Sequence, residues 1–346
     1  MIKKRKAILD VLTGKEPERI PIWLMRQAGR YLPEYRKLRK RAGNFLDLCL
    51  TPKLAAEITL QPIKRFDFDA AILFADILLI PRALGQRLEF REKEGPLLEK
   101  LEDDKKSFKK LVFDQNKLAT VYETLETVKD KLPSQTTLIG FCGGAWTVAA
   151  YMIDGTSKDN FHRAKSWATG APESLDRLIE ILLDVSENYL CHQIKAGAEA
   201  LQIFESWAGL LEGAAFDRWI IEPTRTLVSR VKRKYPHIPI IGFPRNAATR
   251  YHDYAGKTGV DAVSIDQHVK LDYAQTQLQP LKLLQGNLDP LLLVEGGENM
   301  RRAAKTILDA FGTRHIFNLG HGVLPQTRVE HVCDLVEFVR GFKDFA

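Results

Sequence analysis

The feature that most constrains the fold is a series of eight short apolar segments that recur along the whole chain. Each is followed by polar or glycine residues and then by a helix-forming stretch, and continuous apolar segments of this length are typical of strands covered on both faces. The eight segments are residues 21–25, 70–75, 138–142, 200–204, 239–243, 262–265, 281–284 and 315–319. Eight strands that alternate with helices predict an α/β fold, specifically a single-domain (β/α)8 TIM barrel.

An open, doubly wound parallel sheet is the main alternative to a closed barrel. No G-x-G-x-x-G follows the first predicted strand, and no G-x-x-x-x-G-K-[ST] occurs in the sequence. Polar residues stand at or directly after each predicted strand, and in a barrel such residues meet at one mouth. This pattern favours the barrel.

We expect residues 1–346 to form one barrel domain with an N-terminal helical extension and an insertion near residues 82–136. The insertion carries a charged segment, residues 91–96, and should form added secondary structure outside the ring of strands.

Composition narrows the class of protein and its partners. Hydrophobic residues make up 45% of the chain and charged residues 27%, as in ordinary globular proteins. The net charge of +7 lies in clusters without interleaved aromatic residues, which is more typical of solvated helix faces than of a nucleic-acid site. Glycines and a proline interrupt the uncharged residues 132–153, so we expect a turn, a strand and a glycine-rich loop there and no membrane span.

The location predicted from the sequence is cytoplasmic. The apolar run near the amino terminus is short and interrupted by Asp10, so it lacks the core of a signal peptide. The four cysteines are far apart and form no C-x-x-C pair, which argues against a disulfide framework.

Two arginines four residues apart, Arg26 and Arg30, follow the first predicted strand. If the following turn is helical, they share one face. Arginine keeps its charge and binds carboxylates through two parallel hydrogen bonds, so the pair predicts an acidic ligand. Between them, Ala28 and Gly29 let the backbone come close to that ligand. A solvated surface pair is the alternative.

Asp76 and His321 are the other candidates for chemistry at the mouth. Asp76 lies within the apolar stretch 74–79, where an unpartnered carboxylate would be costly to bury. It is therefore either a structural acid or a functional group on the same side as Arg26. His321 lies between two glycines after the eighth strand, where it could bind a carboxylate or relay a proton.

Three further positions have weaker signals. The glycine-rich loop 140–144 leads into a helix whose N–H groups could favour an anion, and Tyr151 lies on that helix. Ser206 ends the fourth strand without the context of a nucleophile, so substrate hydrogen bonding is the better interpretation. The His and Cys residues of the sequence form no convergent set of ligands, so we do not expect a zinc site.

Six motifs together resemble the uroporphyrinogen decarboxylase family over nearly the full chain. They are residues 21–35 (PIWLMRQAGRYLPEY), 74–78 (FADIL), 140–151 (GFCGGAWTVAAY), 204–206 (FES), 285–290 (QGNLDP) and 318–322 (NLGHG). The resemblance implies a (β/α)8 barrel that acts as a homodimer on a tetrapyrrole, removes the four acetate carboxylates of uroporphyrinogen III in haem biosynthesis, and uses neither metal nor organic cofactor.

The resemblance also implies roles for individual residues. Arg26 and Arg30 would bind substrate carboxylates, and Asp76 would bind the pyrrole N–H groups. Tyr151, Ser206 and His321 would form the remaining polar edge. We assign catalysis to Asp76, Arg26 and His321. Substrate binding is assigned to Arg26, Gln27, Ala28, Gly29, Arg30, Asp76, Tyr151, Ser206 and His321.

Two departures from the family pattern are Ala145, where proline is usual, and the pair Gln267-His268. Two alternative functions stay open from the sequence. One is a zinc-dependent, corrinoid-type methyltransferase of the same superfamily, and the other is a noncatalytic tetrapyrrole-binding protein.

Overall fold

Seven parallel strands form the curled sheet at the centre of the protein, whose computed structural model describes residues 5–91 and 94–342. Glu92 and Lys93 of the predicted charged segment lie outside this range. The sheet contains β1 (Ala70–Ile72), β4 (Thr137–Gly143), β5 (Ala200–Glu205), β6 (Ile240–Pro244), β7 (Ala262–Ser264), β8 (Leu283–Leu288) and β9 (His315–Leu319), in that order. The intervening β2 (Leu88–Arg91) and β3 (Gly95–Leu98) form a separate antiparallel hairpin.

The first predicted strand, residues 21–25, lies between the two ends of this sheet. A parallel bridge joins Ile22 to Phe317 of β9, and the Asp69 N–H, directly before β1, donates to the Ile22 carbonyl at 3.0 Å. The segment thus occupies the place of the eighth strand with only a few backbone bonds. The predicted α/β barrel fold is confirmed.

Two strands of the sheet differ from their predicted bounds by more than one residue. The strand predicted at residues 70–75 ends at Ile72, and the one predicted at 281–284 runs from Leu283 to Leu288. The second shift brings polar residues into a buried strand. It is stable because the Trp23 indole N–H donates to Gln285 Oε1 at 2.9 Å and the Gln285 amide donates to Gln202 at 3.1 Å.

Helices cover the outside of the sheet. Within the described residues they are α1 (Ala7–Leu12), α2 (Pro33–Ala42), α3 (Phe45–Leu50), α4 (Pro52–Phe66), α5 (Leu79–Ala83), α6 (Lys105–Lys109), α7 (Ala119–Lys131), α8 (Ala145–Asp154), α9 (His162–Gly170), α10 (Pro172–Lys195), α11 (Gly213–Phe216), α12 (Glu222–Lys234), α13 (Tyr251–Lys257), α14 (Leu271–Tyr273), α15 (Pro290–Glu295), α16 (Gly297–Phe311) and α17 (Val329–Gly341). A π-helical stretch, Asp217–Ile221, joins α11 to α12.

The residues around the predicted insertion combine the β2–β3 hairpin with α6 and α7. The division of the chain into one domain with an extension and an insertion stays a prediction. The stretch 132–153 contains the predicted turn and strand, but β4 continues to Gly143, so most of the predicted glycine-rich loop lies in the strand and the helix α8 follows at Ala145. No helix among residues 5–91 and 94–342 has both the length and the hydropathy needed to cross a membrane.

Candidate active site

A cavity of about 670 Å³ opens at the carboxyl ends of the strands and brings together all nine predicted site residues. They are Arg26, Gln27, Ala28, Gly29, Arg30, Asp76, Tyr151, Ser206 and His321. These residues come from five widely separated parts of the sequence, and the parallel strands bring them to one mouth.

Arg26 and Arg30 line the cavity from an irregular turn, so the helical turn that would put them on one face is not formed. The helix α2 begins only at Pro33, and Arg26 has a φ of 57°, in the left-handed region that nonglycine residues seldom adopt. Gly322 leaves room for the Arg26 side chain: a methyl carbon added there would overlap the Arg26 Cδ and lie 2.6 Å from its Cγ. The uncommon backbone conformation of Arg26 thus lies at the mouth, beside a loop that packs closely against its side chain.

The turn between the two arginines offers backbone groups to a ligand. Gln27 is fully buried, and its side chain is occupied, because its amide donates to the Ala70 carbonyl at 3.1 Å. No hydrogen bond within the described residues engages the N–H groups of Ala28 and Gly29. At this turn the main chain is thus better placed than the Gln27 side chain to bind substrate.

Asp76 is a half-buried carboxylate in the cavity wall. Burial raises its pKa to about 6, against the opposing effects of the Leu78 N–H, which donates to Asp76 Oδ1 at 2.8 Å, and of the charge on Arg26. Desolvation therefore outweighs the stabilisation of the anion in the empty cavity. Asp76 is mostly ionised at pH 7 and becomes protonated in mild acid.

His321 is neutral in this cavity. Burial lowers its pKa to about 3, and the positive charges of Arg26 and Arg245 act in the same direction. Its Nδ1 atom is buried without a hydrogen-bond partner among the described residues. A neutral imidazole can donate or accept a hydrogen bond, but it is a poor proton donor at neutral pH.

Glu205 links the segment that carries Tyr151 to the segment that carries Ser206. The buried Glu205 carboxylate accepts the Thr147 N–H of α8 at 2.6 Å, and the Trp207 N–H donates to Thr147 Oγ1 at 3.1 Å. Glu205 thereby joins the end of β5, which carries Ser206, to the start of α8, which carries Tyr151.

This arrangement corrects the expectation for the glycine-rich loop. Gly144 leaves room for Glu205, since a methyl carbon added to Gly144 would lie 2.5 Å from the Glu205 carboxyl carbon. The N-terminus of α8 is thus occupied by the protein's own carboxylate. It is not available to an anion of the substrate.

Several lining residues had no predicted role. Arg39 was assigned to a solvated helix face, but it lines the cavity together with Tyr35, one helical turn earlier on α2. The spacing of Tyr35 and Arg39 was the available signal. Arg245, directly after β6, also faces the cavity, and so do Phe90 and Arg91 of the β2–β3 hairpin.

The departures from the family pattern do not reach the cavity lining. Ala145 begins α8, where Glu205 secures the helix start. Gln267 and His268 contact each other at 3.0 Å, and His268 borders a separate outer cavity of about 490 Å³.

No group of three or more His, Cys, Asp or Glu side chains within residues 5–91 and 94–342 is arranged to hold a metal ion. The four cysteines are free thiols in this structure.

Comparison with known sequences gives matches over nearly the whole chain. A sequence model of the family described as uroporphyrinogen decarboxylase (URO-D) matches residues 3–342. The uroporphyrinogen decarboxylase of Rhodospirillum rubrum is 48% identical over 344 residues, which cover 98% of each chain. That of Brucella anthropi is 48% identical over 341 residues, covering 98% of this chain and 99% of the relative.

Solved structures share the fold at lower identity. A methyltransferase from Methanosarcina mazei has a TM-score of 0.80 at 19% identity and covers 96% of this chain and 97% of its own. A B12-independent methionine synthase from Shewanella sp. has a TM-score of 0.55 at 10% identity, covering 84% and 87%. At these identities the likeness concerns the barrel alone.

Proposed function

The chain belongs to the uroporphyrinogen decarboxylase family, and on that premise we propose how its cavity carries out the family's reaction. The protein is a carboxy-lyase of haem biosynthesis that decarboxylates uroporphyrinogen. It removes the four acetate carboxylates of uroporphyrinogen III and yields coproporphyrinogen III.

The observation that carries the proposal is the charge distribution of the cavity. Among the described residues that line the cavity, Asp76 is the only carboxylate, whereas five are arginines: Arg26, Arg30, Arg39, Arg91 and Arg245. Uroporphyrinogen has the complementary distribution, with acidic arms around a ring whose N–H groups point inward. Its carboxylates match the guanidiniums, and its N–H groups match the single carboxylate.

The pyrrole ring itself supplies the electron sink. A proton added to the ring carbon beside the acetate-bearing carbon makes the ring an iminium cation. The bond between the methylene and the carboxylate then breaks, carbon dioxide leaves, and the electron pair forms an exocyclic double bond that neutralises the cation. Protonation of the methylene and loss of the proton added to the ring carbon give the methyl group, so each cycle consumes one proton.

Asp76 stabilises the cationic ring in this scheme. As an anion it accepts the pyrrole N–H groups, and it acts most strongly where water is excluded. Arg26 and Arg30 hold carboxylate arms, while Tyr151, Ser206 and the neutral His321 complete the polar edge. Two groups fit the role of proton donor better than His321. One is a carboxylic acid on the substrate. The other is Arg26, whose pKa is lowered by desolvation and by the charge of Arg245.

The direct test is incubation of the purified protein with uroporphyrinogen III under reducing conditions without added metal, followed by chromatography of the products. We expect intermediates with seven, six and five carboxylates and then coproporphyrinogen III. Unchanged substrate would contradict the proposed activity and favour a tetrapyrrole-binding protein instead.

Asp76→Asn tests the assigned mechanism. Loss of an electrostatic contact of this kind typically costs about 100-fold or more in turnover, and the thermal unfolding midpoint should stay near that of the wild type. Asp309→Asn is the matched control, because Asp309 is an exposed carboxylate far from the cavity lining that pairs with Lys305 on α16. Near-normal turnover of Asp76→Asn would remove Asp76 from the mechanism.

The homodimer and the cytoplasmic location stay predictions. The first rests on the family resemblance, and light scattering coupled to size-exclusion chromatography would test it. The second rests on four cysteines that form no disulfide.

A further inference from the structure

We propose that Arg245 is a further substrate-binding residue, which binds a carboxylate arm of the tetrapyrrole across the barrel mouth from the Arg26–Arg30 turn. This inference rests on the proposed function and adds a second anchoring point to it.

The topology places Arg245 opposite the two predicted arginines. Residues 21–25 take the first position in the ring of eight, and β6 takes the fifth, so the loops after them face each other across the mouth. Arg245 directly follows β6 and lines the same cavity as Arg26 and Arg30. A four-ring substrate seated between them would present arms to both sides.

The Arg245 guanidinium lacks a protein partner within the described residues. No carboxylate there forms an ion pair with it, and its Nε atom is buried without a hydrogen-bond acceptor. Arg250, five residues later, shows the contrast, because it pairs with Asp217 at 2.5 Å and with Asp253 at 3.3 Å. Burying a guanidinium without a hydrogen-bond acceptor lowers the stability of the protein, unless a ligand supplies the acceptor.

The backbone around Arg245 is fixed on both sides. Its N–H donates to the Glu205 carbonyl at 3.1 Å, and its carbonyl accepts the Gly209 N–H at 3.1 Å. The next residue, Asn246, donates its N–H to the buried Asp266 carboxylate at 2.7 Å. Arg245 therefore starts from a rigid position, which lowers the entropy lost when it binds a ligand.

The positive charges near Arg245 favour the binding of an anion. Its positive charge lowers the pKa of Arg26 and of His321, so the three groups are close enough to repel one another when protonated. A carboxylate placed among them would relieve this repulsion and accept hydrogen bonds from Arg245. The Asp76 carboxylate, by contrast, is already engaged by the Leu78 N–H.

The test compares the steady-state kinetics of wild type, Arg245→Gln, Arg245→Lys and Arg87→Gln with uroporphyrinogen III. Arg87→Gln is the charge-matched control, since Arg87 is 80% exposed, pairs with Glu89 and does not line the cavity. For Arg245→Gln we expect KM to rise about tenfold or more while kcat changes much less. Arg245→Lys should restore part of the affinity, and Arg87→Gln should match the wild type. Wild-type KM in Arg245→Gln would overturn the inference.

A binding measurement separates this inference from the proposed function. Equilibrium binding of uroporphyrinogen III is compared between Asp76→Asn and the double variant Asp76→Asn/Arg245→Gln, so turnover is not required. We expect the double variant to bind about tenfold more weakly, even if the wild type proves to be a binding protein without decarboxylase activity. Equal affinity of the two variants would refute the role of Arg245. Should Arg245→Gln fail to fold, the comparison is made with Arg245→Lys, whose affinity must then fall below that of Asp76→Asn.

Discussion

At the scale of single residues, the role proposed for Asp76 makes activity depend on the charge of this carboxylate. Its pKa of about 6 means that the carboxylate is ionised above this pH and neutral below it. Only the anion stabilises a cationic ring, so we predict that kcat/KM falls as pH decreases through about 6, approaching tenfold per pH unit. The measurement is a pH–rate profile between pH 5 and 8 on wild type and His321→Gln.

The histidine variant is the informative comparison in that experiment. His321 has a pKa of about 3, so it stays neutral throughout the measured range and should not shape the acid limb. His321→Gln should lower the rate without moving the limb. A limb that moves or disappears in this variant would assign the titration to His321 and contradict the role given to Asp76.

Gly322 determines the position of the Arg26 side chain. For Gly322→Ala we predict a rise in KM of about tenfold, because the added methyl group displaces the Arg26 guanidinium that we propose to bind substrate. Stability should fall as well, because the overlapped Cγ and Cδ atoms lie near the base of the Arg26 side chain, whose backbone has a φ of 57°. Gly256→Ala on α13 is the control, because a methyl group there meets nothing within 4 Å. Unchanged KM in Gly322→Ala would show that Arg26 adapts without loss.

The residues that could be predicted from the sequence were those with unusual chemistry in an apolar context. Asp76 and the Arg26–Arg30 pair stood out for this reason, and both line the cavity. Arg39 and Arg245 did not, because a charged residue on a helix or after a strand is common and its direction depends on tertiary contacts. The conformation of Arg26 was also out of reach, since Gly322 is almost 300 residues away in the sequence.

At the scale of secondary structure, Glu205 couples β5 to α8. We predict that Glu205→Ala lowers the free energy of unfolding by about 2 kcal/mol or more at pH 6, because it leaves buried N–H groups at the start of α8 without an acceptor. Urea denaturation measures the change. Turnover should fall as well, since Tyr151 and Ser206 lose their common support.

The loss of unfolding free energy in Glu205→Ala should depend on pH in a definite direction. Burial raises the pKa of Glu205 to about 7, above its ordinary value of 4.5, so the folded protein favours the protonated acid. Its contribution to stability is complete below pH 4.5 and is lost as pH rises through 7. The penalty of Glu205→Ala should therefore shrink as the pH rises from about 4.5 to about 7 and change little above pH 7. Glu212→Ala, at an exposed position without a side-chain cap bond, should be close to wild type at every pH. A penalty that grows with pH would contradict this assignment.

The elements predicted best were those with long, continuous apolar segments. For β4, β5, β6, β7 and β9, the first residue of the strand is within one residue of the predicted one. The shift of β8 was missed because Gln285 and Asn287 look like loop residues until Trp23 and Asp266 supply their partners. Local sequence cannot show a hydrogen bond that forms across the barrel.

At the scale of the whole molecule, the count of apolar segments predicted the barrel but not how it closes. Residues 21–25 are as apolar as any strand, yet they have a single bridge, to β9. Side chains replace the missing ladder: Asp69 Oδ2 accepts the Ile22 N–H at 2.9 Å, and Asn318 Oδ1 accepts the Met25 N–H at 2.9 Å. This seam also carries the turn proposed to bind substrate, because Arg26 directly follows Met25.

Breaking the seam should therefore affect both stability and binding. Asp69 is 2% exposed, accepts the Ile22 N–H and pairs with Arg19 at 2.6 Å. For Asp69→Ala we predict that the free energy of unfolding falls by about 2 to 3 kcal/mol, mainly from the buried N–H left without an acceptor, because Arg19 is partly exposed and its pairing is weakened by solvent. KM should rise too, since the turn that holds Arg26 loses its anchor.

Arg19→Gln is the matched control: it keeps the bond to Ile22, so it should lose under about 1 kcal/mol and bind substrate normally. Equal losses in the two variants would mean that the ion pair, and not the backbone bond, closes the barrel.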